Sequence, residues 1–338
     1  MKGLLPVVIS CLFLLTSQIA RTEDTADITI LSSKPTVAEA MQCAAFSPYV
    51  GELTPSYGPP PSKELIETLL DQLIAQTPYR CIMTYGVMDG LEQIFPAAEA
   101  RQLKVISIIW LDNDVVTNTR SIANGIEMAK AYPYTIIKLS CGSEVRTRHN
   151  KKFDGEILRC MDSLRSAGVS QPITTIDTWW EWCDRKAKCR KNAFANKVDW
   201  IGTNIFPWWE NKFSGVHPCT TAEQAADYHI NRLTDLHKAY PGKEIIVTEF
   251  GWPNGPEGGS EINDHTGQHC GIANKANQSL FVQTTFKKLA EKKWSGVVFE
   301  AFSEIWKPGS ESLFGSYWGV CQGEPPYSCT TDFMKTAN

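Results

Sequence analysis

Charge of one sign, metal-binding spacings and long apolar runs are all scarce in this chain, and each scarcity excludes a class of function. Thirty-three Lys and Arg against thirty-seven Asp and Glu leave a formal charge of −4. So slight an acidic excess gives no electrostatic footprint for nucleic acid or for an anionic membrane surface. There are six His, and no two Cys stand in a Cys-x-x-Cys arrangement, which argues against a zinc site. His265 and His269 have ligand-like spacing, but they lie in a Gly-rich loop with no helix to present them. No metal and no cofactor are expected. After the first twenty residues no stretch is long and apolar enough to cross a bilayer. The tail from Thr330 to Asn338 also lacks the hydrophobic run that a GPI anchor requires. No low-complexity linker, repeat or block of like charge divides the chain, so one domain is expected.

Among what is present, the N-terminus is distinctive. Lys2 is followed by an apolar run from Leu4 to Leu15 and by small residues ending near Ala20. That pattern reads as a secretory signal peptide over residues 1–20, too short to be a membrane span. Residues 21–40 read as a leader, 41–330 as the folded domain and 331–338 as a tail. A secreted or cell-wall protein, working as a monomer with no membrane partner, is the expectation. Removing Cys11 with the signal segment leaves ten Cys, from Cys43 to Cys329, and an oxidising compartment makes disulfides their default state. Cys183 with Cys189, and Cys321 with Cys329, are close enough in sequence to close small loops; the full connectivity stays open. Asn277-Gln278-Ser279 is an N-glycosylation sequon, and the basic run from Arg185 to Lys191 reads as a solvated loop. Eleven Trp provide flat apolar surfaces of the kind sugar rings stack on, although most are expected in the core.

Short β-branched runs alternate with longer amphipathic stretches from end to end. Strands are expected over Ala44–Ser47, Arg80–Tyr85, Val105–Trp110, Thr135–Ser140, Ile173–Thr178, Trp200–Ile205, Ile245–Thr248 and Val297–Phe302. Several are apolar on both faces, as buried parallel strands are. Helices are expected over Ser62–Gln76, Leu91–Leu103, Thr117–Ala131, Phe153–Ala167, Thr221–Ala239 and Ala273–Lys292, with only a weak pattern between the fifth and sixth strands near Lys186–Asn196. Ser62 and Thr221 suit N-caps, and Gly168 suits a helix stop. The stretch Asn254–Gly271 reads as a long loop. Eight strands alternating with helices over about three hundred residues indicate an α/β fold, a single (β/α)8 barrel.

In that architecture chemistry sits at the C-terminal ends of the strands. The fourth strand leads through Ser140-Cys141-Gly142-Ser143 to Glu144, and the seventh leads through Val247-Thr248 to Glu249. With strands four and seven facing each other across the barrel, the two carboxyl groups overhang one cleft. A pair of carboxyl groups about 5–5.5 Å apart is what a retaining glycosidase requires, one as acid/base and one as nucleophile. Either Glu alone reads as an ordinary loop carboxylate; the pair, at those two strand ends, reads as catalytic.

These segments resemble glycoside hydrolase family 17, the β-1,3-glucanases and glucanosyltransferases, over nearly the whole mature chain. Val247-Thr248-Glu249-Phe250-Gly251-Trp252-Pro253 is similar to the family's nucleophile motif, Cys141-Gly142-Ser143-Glu144-Val145 to its acid/base motif, and Phe299-Glu300-Ala301-Phe302-Ser303-Glu304-Ile305-Trp306-Lys307 to a motif of its fungal-type members. The resemblance implies Glu249 as nucleophile, Glu144 as acid/base, and a β-glucan polysaccharide or oligosaccharide as partner. It further implies Glu304 and Lys307, with Glu311, as charged cleft residues, and Tyr85, Trp208 and Trp209 as lining for sugar subsites. Transfer to an acceptor sugar by the same glutamates, and a non-catalytic glucan-binding barrel, are the alternatives. Two departures stand out: Ser143 replaces the Asn that contacts the sugar 2-hydroxyl, and Phe46 replaces a usual Tyr.

Overall fold

The computed structural model describes residues 40–183, 189–213, 219–308 and 312–329. The expected signal peptide, the leader up to residue 39, most of the basic run, Glu311 and the C-terminal tail lie outside the described residues.

Eight parallel strands close on themselves. In chain order they are β1 (Gln42–Phe46), β2 (Cys81–Thr84), β3 (Lys104–Ile109), β4 (Ile136–Ser143), β5 (Ile173–Thr178), β6 (Ile201–Asn204), β7 (Ile245–Phe250) and, after a hairpin of β8 (Gly259–Ile262) with β9 (His269–Ala273), β10 (Ser295–Val298). Neighbours follow the order β1-β10-β7-β6-β5-β4-β3-β2, which closes the barrel and leaves no unpaired edge. Between strands lie α1 (Lys63–Gln76), α2 (Ile94–Ala100), α3 (Val115–Ala131), α4 (Val145–His149), α5 (Asp154–Ser166), α6 (Pro207–Phe213), α7 (Ala222–Ala239) and α8 (Lys275–Glu291). The expected (β/α)8 barrel is therefore the fold.

The strands form where the sequence is apolar on both faces: Val105, Ile106, Ile108 and Ile109 of β3 are all buried, between the barrel interior and the helical ring. Helix α3 lies against β3 at Gly125, where a Cβ would run into the side chain of Ile109. Caps begin the helices where expected. Ser62 Oγ accepts from Leu65 N at 3.2 Å. Thr221 and Gln224 make a reciprocal capping box, each bond contributing about 1 kcal/mol. Gly168 ends α5 with φ +75°.

All ten expected cysteines pair. Cys43–Cys81 ties β1 to β2, Cys141–Cys160 ties β4 to α5, and Cys183–Cys189, Cys219–Cys270 and Cys321–Cys329 staple loops. In Cys43–Cys81 the bond closes 38 residues, a constraint on the unfolded chain worth about 3–4 kcal/mol.

Three local expectations are corrected. Among the described residues of the weak helix expected near Lys186–Asn196, the structure has a 3₁₀ turn at Ala193–Asn196, which follows the Cys183–Cys189 disulfide and a Cys183–Lys191 bridge. The long loop after β7 carries the β8–β9 hairpin, which Cys219–Cys270 fastens to the chain before α7. The eighth barrel strand ends at Val298 rather than at Phe302; beyond it Ala301 N bonds to Ala45 O and Cys321 N to Ala301 O, docking the C-terminal hairpin of β11 (Cys321–Gln322) and β12 (Ser328–Cys329).

Candidate active site

A groove of about 480 Å³ opens at the C-terminal ends of the barrel strands. Glu144 and Glu249 both line it, with Tyr85, Ser143, Glu304 and Lys307. Strands β4 and β7 do not stand diametrically opposite; β5 and β6 lie between them on one side. That short arc lets a side chain of β6 reach towards both carboxylates.

Glu249 is carried on β7 itself. Strand pairing holds its backbone opposite Asn204 of β6, and only 7% of the residue is exposed. Tyr85, just past β2, donates its phenol to Glu249 Oε1 at 3.0 Å. Burial holds the Tyr85 hydroxyl well above its usual pKa, and the Glu249 charge adds to that, so the phenol remains a donor.

Glu144 is presented differently. It is the first residue after β4, its N–H bonds to Ile176 O of β5 at 2.8 Å, and its φ of +52° places it in the left-handed region. That conformation is unusual for a residue with a side chain. Asn204 Nδ2 donates to Glu144 Oε1 at 2.9 Å, while Asn204 Oδ1 accepts from Thr248 Oγ1 at 2.8 Å. One amide thus joins Glu144 to the residue next to Glu249. Asn204 was not singled out beforehand.

Beside the glutamates lies a buried charge cluster. Lys307 Nζ is 2.5 Å from Glu300 Oε2 and 2.6 Å from Glu304 Oε2. Glu304 Oε1 also accepts from Ser47 Oγ and, at 3.1 Å, from Trp306 Nε1. Burial raises the Glu304 carboxyl, but the Lys307 charge, with hydrogen bonds from Glu300, Lys307 and Ser47, outweighs it and holds it below the usual range. Burial drives Glu300 well above that range, against the pull of Lys307 and with the push of Glu304. One lysine therefore serves two buried carboxyl groups whose pKa values are pushed in opposite directions. Glu304 and Lys307 fall at the groove as expected; Glu300 and Ser47 were not singled out beforehand.

The tryptophan expectations need correction. Trp208 is fully buried and does not line the groove: it packs edge-on to Trp252 and Phe314, each with ring centres 4.9 Å away, with Gly271 of β9 against its ring. The β8–β9 hairpin covers it. Trp209 packs on Trp318, also outside the groove lining. The tryptophans on the groove are Trp110, 37% exposed, and Trp306, beside Phe46, Tyr49, Tyr85 and Phe299. The Arg148 guanidinium lies 4.5 Å from the Trp110 ring centre and is itself held by Leu111 O at 2.9 Å and Ser143 O at 3.1 Å. Ser143 is buried in the groove wall beside Glu144.

A closed parallel barrel with two glutamates on one groove, an aromatic wall and a buried lysine–carboxyl cluster fits a glycoside hydrolase. The chain belongs to the BtgE/BtgC glycoside hydrolase domain family, whose model matches residues 43–319. It is similar to a probable β-glucosidase, BtgE, of Aspergillus clavatus, with 26% identity over 238 residues, covering 69% of this chain and 37% of that protein. It is also similar to the probable family 17 glucosidase SCW10 of Saccharomyces cerevisiae, at 21% over 260 residues, 75% of this chain and 59% of that one. A glucan 1,3-β-glucosidase of Arthroderma benhamiae is 25% identical over 250 residues, 71% of this chain and 75% of that one. The chain thus spans between about a third and three quarters of the length of these relatives. Among solved structures, a family 17 β-1,3-glucanosyltransferase from Rhizomucor miehei superposes with a TM-score of 0.61 at 17% identity, covering 85% of this chain and 97% of that one. An endo-laminarinase from Formosa superposes with a TM-score of 0.67 at 15% identity, covering 83% and 82%. The resemblance to family 17 read from the motifs agrees with these matches.

Proposed function

We propose that this chain is a secreted retaining glycosidase that cleaves β-1,3-glucan through a covalent glycosyl-enzyme intermediate. The observation that carries this reading is the pair Glu144 and Glu249 on one groove, one held by Asn204 and the other by Tyr85. Glu249, carried on β7, attacks the anomeric carbon. Glu144 gives its proton to the departing glycosidic oxygen, then takes a proton from the water that hydrolyses the intermediate. As charge develops on the ring, Tyr85 and Asn204 keep the two carboxyl groups in place, and Lys307 with Glu304 offers polar contacts to sugar hydroxyls. Trp110 and Trp306 supply flat faces for further sugar rings.

The relatives named as glucosidases and glucan 1,3-β-glucosidase support β-1,3-glucan as the substrate. Five disulfides and the apolar N-terminal run support secretion. Mass spectrometry of laminari-oligosaccharides incubated with the wild type and with Glu249→Ala tests the reading. Shorter products from the wild type alone are expected, and longer ones mean transfer to an acceptor sugar by the same pair. Unchanged oligosaccharides in both samples, or turnover by the variant, overturn it.

A further inference from the structure

We infer that Asp177 is a positioning residue for Glu144: from the end of β5 its carboxylate caps the short helix α4 and locks Glu144 into the backbone conformation that points it at the groove. The inference rests on the proposed acid/base role of Glu144.

Glu144 occupies the N-cap position of α4 yet makes no capping hydrogen bond there, because its side chain is turned to Asn204. The first amides of α4 need another acceptor, since the opening N–H groups of any helix have no partner within it. Asp177 supplies it from the neighbouring strand. Its Oδ2 accepts from Arg146 N at 2.9 Å, and its Oδ1 accepts from Thr147 Oγ1 at 2.6 Å and from Thr178 N at 2.9 Å. Thr147 Oγ1 also lies 2.8 Å from Thr178 Oγ1, a second tie between α4 and β5. The carboxylate is completely buried.

A helix of five residues does not sustain itself, and a left-handed residue with a side chain disfavours the fold by about 1 kcal/mol or more. The capped turn is therefore what holds Glu144 in place. The arrangement is not an ion pair with Arg146: that guanidinium turns away to Asp154 Oδ1 at 3.0 Å and Glu181 O at 3.1 Å, over the Phe194 ring. Asp177 and Glu144 also feel each other's charge. Burial pushes the Asp177 carboxyl up to about 7, the Thr147 hydrogen bond opposes this, and Glu144 adds to it.

A structural brace and a brace on the acid/base predict different kinetics. Laminari-oligosaccharides need a proton on the leaving oxygen, whereas a dinitrophenyl β-laminaribioside, whose leaving group departs as the anion, forms the glycosyl-enzyme without one. In Asp177→Asn, kcat/KM for the oligosaccharides is expected to fall about a hundredfold, while kcat/KM for the aryl glycoside stays within about threefold. Azide is expected to restore turnover of the aryl substrate by replacing the water that Glu144 no longer activates. Thr147→Val, which removes the hydroxyl's bonds to Asp177 and Thr178 and leaves the carboxylate with its backbone donors, is expected to show the same selectivity on a smaller scale. Equal losses on both substrates in these variants, or no loss, overturn the inference. Glu144→Gln serves as the control: if it spares the oligosaccharides, the acid/base reading fails; if it shows the selective loss and the Asp177 and Thr147 variants do not, the bracing role alone fails.

Discussion

The phenol of Tyr85 meets Oε1 of Glu249 across 3.0 Å, joining the end of β2 to a carboxylate on β7 on the far side of β1 and β10. A hydrogen bond to an ionised acceptor is worth about 1.5–3 kcal/mol, more than a neutral pair. Here it aims one oxygen of the proposed nucleophile and leaves the side chain at the groove.

Tyr85→Phe is therefore expected to lower kcat about tenfold to a hundredfold on laminari-oligosaccharides, with KM changed little. Steady-state kinetics decide it; an unchanged kcat removes Tyr85 from the nucleophile's support.

Trp110 and Trp208 should separate cleanly. Trp110→Ala takes away a groove face and is expected to raise KM for long oligosaccharides about tenfold, a stacking loss of roughly 1–1.5 kcal/mol, while the melting temperature holds. Trp208→Ala opens the buried cluster with Trp252 and Phe314 and is expected to cost about 3–5 kcal/mol of stability. Kinetics and thermal melts on both variants check the pair, and the reverse pattern would put Trp208 back in the substrate site.

Ser143→Asn restores the amide that the family motif carries beside the position of Glu144. A contact to the sugar 2-hydroxyl strengthens in the transition state, so kcat/KM on β-1,3-glucan is expected to rise about tenfold. A lower rate would show that the groove has been rebuilt around Ser143 and the carbonyl that Arg148 holds.

His229 gives the pH dependence of stability. It is fully buried on α7, packed on Phe250 and Phe281, and neither ring nitrogen has a hydrogen-bond partner among the described residues. Burial lowers its pKa from 6.5 to about 3, so the unfolded chain binds the proton more readily than the folded one. Its stabilising effect is complete above pH 6.5 and is lost as pH falls towards 3, up to about 5 kcal/mol in all. Melting temperatures measured from pH 7 to 4 are expected to fall more steeply for the wild type than for His229→Leu; parallel slopes would contradict this.

The barrel was legible because several strands, such as Lys104–Ile109, are largely apolar on both faces and the longer helices have a period of their own with caps like Ser62 and Thr221. The two glutamates were legible from their place at the ends of strands. What escaped depends on how the loops fold back. Nothing local distinguishes Trp208 from a groove tryptophan, since its burial is set by Gly271 and Trp252, far along the chain. Asn204 and Asp177 are single polar residues at strand ends, and their importance lies in contacts to Glu144 and α4 that span strands. The pairing of Cys219 with Cys270 joins the chain before α7 to β9, two segments with no local feature in common.

The most direct test of the central claim is to trap the intermediate. Incubation with a fluorinated laminaribiosyl fluoride, whose glycosyl-enzyme hydrolyses slowly, is followed by peptic digestion and mass spectrometry. The account predicts one added disaccharide on the peptide that carries Glu249, and none in Glu249→Ala. A label on a different residue, or turnover of the reagent without any covalent adduct, would contradict it.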